Sequence, residues 1–211
     1  LFFPLNPCDM EQVKASSKTR YLLTNGRPER PLLLYAGRFW LEKRISLLIT
    51  AFRDATAQGL FKGTVADGCL LALVGDGPVD LEQYHDPKEG VFVHQKFVTK
   101  TELRTYYCAA DVHVSASNFE TFGNTVHESL LCGTPVVVQR AGGYVTQVGS
   151  GERGPKQGFL VDFEDTTEVA KAVIQAVEIR MRSRNDAGID IGPKERSDTT
   201  EGTEIVSSLL N

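Results

Sequence analysis

In the stretch AGRFWLEKR, Gly37 is followed by Arg38, and Lys43 comes five positions later, where a helical pattern starts. A glycine lets the backbone approach a ligand closely, and two cations beside a helix N-terminus suit a phosphate group. Taken alone the motif is weak, and solvated surface charges explain Arg38 and Lys43 about as well. In SNFETFGNTVHESL, Glu120 and Glu128 stand eight residues apart, the first in a loop and the second inside a helix that begins near Asn124. They would flank the open amides of that helix N-terminus. Such amides suit a diphosphate, while carboxylates accept hydrogen bonds from sugar hydroxyls. Singly, each acid reads as an ordinary solvated carboxylate. AGGY (141–144) and GDGP (75–78) offer either close backbone approach or a tight turn, and for GDGP the turn is the better reading.

These loops need a frame. RPLLLYAGR contains a short continuous apolar run ended by Gly37, which fits a strand buried on both faces. Similar runs recur at 69–78, 91–98, 110–117, 134–139 and 158–163. Helical spacing appears in SLLITAFRDA, TELRTYYCAA, GNTVHESLLCG and TTEVAKAVIQAVEIR, the last starting on a threonine cap. Alternating strands and helices predict an α/β fold, a Rossmann-like doubly wound parallel sheet. In such sheets ligands sit at the carboxyl ends of the strands, where the charged loops fall. Residues 1–30 read as a connector with one short helix, 31–180 as the compact domain and 181–211 as a polar flexible tail.

The chain has 211 residues, 41% hydrophobic and 24% charged, with a formal charge of −4. That composition is ordinary for a globular protein, and the charge balance argues against a nucleic-acid partner. Cys8, Cys69, Cys108 and Cys132 have neither zinc-ligand nor disulfide-framework spacing, so reduced thiols are expected. No apolar run approaches about 18 residues, so membrane contact would be peripheral at most. The expected location is cytoplasmic, or the cytosolic face of a membrane. The opening LFFPLNPCDM, with Leu1 in place of a methionine, reads as a chain cut from something longer.

The elements AGRFWLEK, LVGDGP, KFVTKTELRTYYCAADVHVSAS, ETFGNTVHESLLCGTPVV, AGG and QGFLVDFED, in this order, resemble the C-terminal half of a GT-B glycosyltransferase. The likeness is nearest to the retaining enzymes of glycosyltransferase family 4, and runs from about Asn6 to Val177. It implies that this chain is the nucleotide-sugar-binding half of a transferase that moves a hexosyl group to a glycan, lipid or small-molecule acceptor. The other half, an N-terminal GT-B domain, would carry most of the acceptor site, so this stretch alone would bind donor without transferring it. By the same resemblance Gly37 lies in the donor loop, and Arg38 and Lys43 hold the donor diphosphate. Glu120 contacts hydroxyls of the transferred sugar and Glu128 those of the ribose. Backbone around Phe122, Gly123, Asn124 and Thr125 binds sugar and phosphate oxygens, and the loop Lys96-Phe97-Val98 lies beside the base. Two positions depart from the family pattern: Arg44 and Lys96 stand where glycine is usual.

The implied mechanism stabilises charge on a nucleoside diphosphate leaving group with cations and a helix N-terminus. It needs no metal and no other cofactor, and the chain has no DxD pair to hold one. A non-catalytic nucleotide-sugar-binding or interaction module is the competing reading. A dehydrogenase would need a GxGxxG turn that AGRFWLEK does not supply. The four histidines, Trp40 and the pair Tyr106 and Tyr107 read as packing or surface groups rather than as catalytic ones.

Overall fold

Leu32–Ala36 forms strand β1, and every one of its side chains is buried. Leu33 and Tyr35 enter the larger core and Leu32, Leu34 and Ala36 the opposite one, which is why the run is continuously apolar rather than alternating. The computed structural model describes residues 10–62, 68–148 and 158–186. Around β1 the chain builds β2 (Leu70–Gly75), β3 (Val91–Gln95), β4 (Val112–Ser115), β5 (Val136–Gln139) and β6 (Gly158–Val161). All neighbours pair in parallel, in the order β3-β2-β1-β4-β5-β6.

The helices are α1 (Met10–Leu23), α2 (Ile45–Ala57), α3 (Lys100–Ala109), α4 (Asn124–Leu131), α5 (Gly143–Val148) and α6 (Thr166–Asp186). Helices α2 and α6 cover one face, where Ile49, Phe52, Val173 and Val177 meet Leu71, Leu73 and Val114. On the other face, α3 sends Tyr107 against Leu34, Ala72 and Val74. Thr99 and Glu102 start α3 with a reciprocal capping box, which satisfies two of the amides a helix end leaves open. The order of strands reverses between β1 and β4, so a crevice opens at their carboxyl ends.

Several expectations change. The helix placed in a connector, α1, docks onto the domain through Arg20, which is 1% exposed. Its guanidinium donates to Asp111 Oδ2 at 2.8 Å and to the carbonyls of Pro28, Ala109 and Arg30. Helix α6 likewise runs past residue 180 to Asp186, because Arg184 reaches the other Asp111 oxygen and the carbonyls of Cys108 and Ala110. Asp111 is fully buried, and its Oδ2 also accepts from the Leu32 amide. The remaining parts of the connector and tail, 1–9 and 187–211, with Cys8, lie outside the described residues. The cap of α6 is Asp165 rather than a threonine, its Oδ1 accepting from the amides of Thr167 and Glu168. Cys69, Cys108 and Cys132 form no disulfide.

Candidate functional site

The loop after β1 is held by backbone before any side chain acts. Tyr35 donates through its hydroxyl to the Arg38 carbonyl at 2.9 Å, Gly37 N–H donates to Val74, and Phe39 N–H donates to Asp76. Phe39 is buried beneath the loop. The two glycines of GDGP make this possible, since a Cβ on Gly75 would stand 1.8 Å from the Gly37 carbonyl oxygen and one on Gly77 2.4 Å from that of Phe39. These glycines therefore serve contact between two loops, and not only the turn expected of them.

A 3-10 turn, Leu41–Lys43, then delivers Lys43, and Arg44 adopts a left-handed backbone at φ +50° before α2 begins. That conformation explains why glycine suits position 44, and arginine accepts some strain to occupy it. Its guanidinium is held by Glu164 at 2.6 Å, at the start of the β6–α6 connection. Trp40, expected to pack, is instead 44% exposed, and the Arg38 guanidinium lies over its ring at 5.4 Å.

Lys43 crosses the crevice. Its ammonium donates to Glu120 Oε1 at 2.5 Å, with the two side chains 12% and 19% exposed. The Glu120 carbonyl accepts from the Gly143 amide at 2.6 Å. A Cβ on Gly143 would sit 2.3 Å from the Thr121 carbonyl oxygen, and one on Gly142 2.7 Å from that of Glu120. Of the two readings of AGGY, close backbone approach or a tight turn, the structure shows close approach: the glycines let a short helix, α5, press against the loop carrying Glu120. Tyr144 on α5 shares a 3.0 Å hydrogen bond with Ser115. Burial, with Glu120 close by, pushes the phenols of both Tyr144 and Tyr35 well above their ordinary range, so both stay protonated.

Gly123 caps α4 at φ +67°, and no side chain caps the helix. The first-turn amides of Asn124 and Thr125 therefore begin a helix end of positive character beside the Lys43–Glu120 pair. A side chain at 123 would strike the Tyr144 ring at 2.7 Å, so glycine is required by space as well as by φ. Phe122 is exposed, its ring 5.8 Å from that of His127. One turn on, Glu128 accepts from the Tyr107 hydroxyl at 3.4 Å.

The fold gathers Gly37, Arg38, Lys43, Glu120, Phe122, Gly123, Asn124 and Thr125 around the crevice, with Glu128 a turn behind. Lys96 and Val98 lie apart, beyond β3, two strands from β1 and so about 10 Å away across the sheet. The Val98 side chain packs on the core, which leaves its backbone for any ligand. The sequence reading passed over Tyr107 as a partner of Glu128, Tyr144 beneath Glu120, and Asp111. Only Asp111 carried a signal, an acid at the head of an apolar strand that burial would force to find a cation. Among the described residues no three His, Cys, Asp or Glu side chains are grouped to hold a metal ion. No helix among them is long and apolar enough to cross a membrane.

Comparison with known proteins bears on the family and the fold. The family model for glycosyl transferases group 1 matches residues 24–189. The sulfoquinovosyl transferase SQD2 of Arabidopsis thaliana is 33% identical over 170 residues, 78% of this chain and 31% of that protein. A D-inositol 3-phosphate glycosyltransferase 2 of Catenulispora acidiphila is 42% identical over 155 residues, 69% of this chain and 35% of the other. Among solved structures, Anabaena Alr3699/HepE in complex with UDP and glucose superposes with a TM-score of 0.61 at 22% identity, over 99% of this chain and 55% of that one. The chain spans roughly a third of the length of these two curated relatives. The parallel sheet is the Rossmann-like fold of GT-B glycosyltransferase structures, and the chain belongs to the glycosyl transferases group 1 family.

Proposed function

We propose that this chain is the donor-binding half of a retaining glycosyltransferase, taking a nucleoside-diphosphate hexose as donor. The observation that carries the reading is the Lys43–Glu120 pair beside the uncapped N-terminus of α4, at the point where the strand order reverses. The pair keeps a cation and a hydroxyl acceptor side by side, the two groups a sugar diphosphate needs at the bond to be broken. Cleavage of the anomeric carbon–oxygen bond leaves negative charge on the departing diphosphate. Arg38, Lys43 and the amides at Phe122, Gly123, Asn124 and Thr125 stabilise that charge electrostatically, without a metal ion. Glu120 accepts from hydroxyls of the transferred sugar, and Glu128, steadied by Tyr107, from the ribose. Glu120 is not assigned as a nucleophile.

A further domain supplies the acceptor site, so the 211-residue chain binds donor and transfers nothing by itself. A non-catalytic module would behave identically in isolation, and the fraction of its relatives that the chain covers keeps that reading in play. Titration with UDP-, GDP- and ADP-sugars tests the donor site. At least one should bind, with Glu128→Ala weakening it; no binding by any of them, or an unchanged affinity in the variant, ends the proposal. Joining the chain to the sequence upstream of it separates enzyme from module, since only the enzyme gains transfer.

A further inference from the structure

On the far side of the domain from α5, between α1, β3 and α3, lies a cavity of about 370 Å³. It is separate from the crevice between β1 and β4. Tyr21, Phe92 and Tyr106 bring rings to its wall, and His94 of β3 and Lys96 just after it line the same cavity. Two observations mark it as more than a packing gap. His94 Nε2 is buried with no hydrogen-bond partner, although its ring packs 5.8 Å from that of Tyr106. A polar atom in that position normally finds a partner, because desolvation without one is costly. The second is Lys96, which forms no ion pair among the described residues.

Two other polar side chains on the wall are already engaged. Glu102 Oε2 accepts from the Thr99 amide at 2.9 Å and from its hydroxyl at 2.7 Å, as part of the α3 cap. His85 Nδ1 accepts from the Val93 amide at 3.1 Å. Burial and the neighbouring Lys96 pull His94 down to about 4, so near neutral pH it is an uncharged ring able to donate one hydrogen bond. An apolar, ring-lined wall with one open donor and one open cation at the same end describes the complement of a flat amphipathic anion.

We propose that this cavity binds a small aromatic carboxylate, its ring among Tyr21, Phe92 and Tyr106 and its anion met by Lys96 and His94 Nε2. The ring nitrogen belongs to β3 and the cation is the first residue after it, at the start of the loop 96–98, so the ligand occupies the back of that loop without entering the crevice. The cavity shares Lys96 with the loop expected beside the donor base, but Lys43, Glu120 and the N-terminus of α4, which carry the donor reading, do not line it.

The test is titration of the 211-residue chain with 2-naphthoate, followed by ligand-observed NMR and calorimetry. Saturable one-to-one binding is expected, with a dissociation constant on the order of 0.1–1 mM. Neutral 2-naphthamide should bind about tenfold more weakly, having lost the charge-assisted contact. His94→Phe keeps the ring shape and removes the nitrogen, and should cost a similar factor. Thr19→Trp fills the cavity from α1 and should abolish binding, and each variant is checked for an unchanged thermal midpoint. Equal affinity for acid and amide, full binding by Thr19→Trp, displacement of 2-naphthoate by UDP, or no saturation below about 10 mM would each overturn the proposal.

Discussion

Two charged clusters lie at opposite ends of the central strands, and they differ in what they leave open. At the amino end of β4, Asp111 lies fully buried between Arg20 and Arg184, and every oxygen is taken. At the carboxyl ends, Lys43 and Glu120 pair across a crevice and keep part of their surface accessible. The first cluster joins elements, and its ions leave no room for a ligand. The second joins loops, and a ligand with a diphosphate and hydroxyls can divide the pair between its own groups. A fully buried pair is costly to break and one left partly accessible is available to bind, so the same kind of contact serves architecture in one place and chemistry in the other.

That contrast can be broken from either side. The largest effect is expected from Asp111→Ala, which strands two buried arginines; a stability loss of about 3–5 kcal/mol should appear in urea unfolding. Acid should act on the same cluster. Burial pushes the Asp111 carboxyl upward, but Arg20 and Arg184 more than offset it, so its folded pKa lies below the ordinary value. A depressed folded pKa contributes stability above the unfolded value, near 3.9, and loses it as pH falls through the folded one. Unfolding midpoints measured from pH 6 down should therefore drop below about pH 4, and the drop should shrink in Asp111→Asn.

Lys43→Ala should reverse the pattern. Loss of a charge-assisted phosphate contact should weaken donor binding about 10- to 100-fold by calorimetry, while stability falls by clearly less than in Asp111→Ala, because Glu120 keeps some access to water. If stability fell as it does for Asp111→Ala, the two clusters would not differ as described. Gly143→Ala forces a Cβ against the Thr121 carbonyl and should displace the Glu120 loop. A loss of about tenfold in donor affinity is expected, with a modest cost of about 1–2 kcal/mol in stability. Tyr107→Phe should do least, removing one long hydrogen bond to Glu128 for about a threefold loss of affinity.

Most of the frame was legible because its strands are buried on both faces. A run such as LLLYA has few other uses, and Gly37 and Gly75 mark where the first two runs leave the sheet. The charged loops were legible as residue types at a spacing. What joins them was not: Lys43 and Glu120 are 77 residues apart, and only the adjacency of β1 and β4 brings them together. α5 escaped because its six residues start on a glycine pair whose obvious reading is a turn. Arg20 and Arg184 escaped for a different reason. Basic side chains in polar stretches read as solvated, and nothing local says that a buried acid on β4 is waiting for them.

The Asp111 cluster also bears on how the domain comes off the ribosome. Arg20 is 91 residues before Asp111 and pairs with it as soon as β4 is made, but Arg184 follows 73 residues later. Until α6 emerges, the buried carboxylate has only one of its two guanidinium partners, and the face of β4, β5 and β6 that α6 packs on stays open. The Arg184 contact waits on synthesis order rather than on separation, so a chain released before α6 would expose apolar sheet surface of the kind that promotes aggregation.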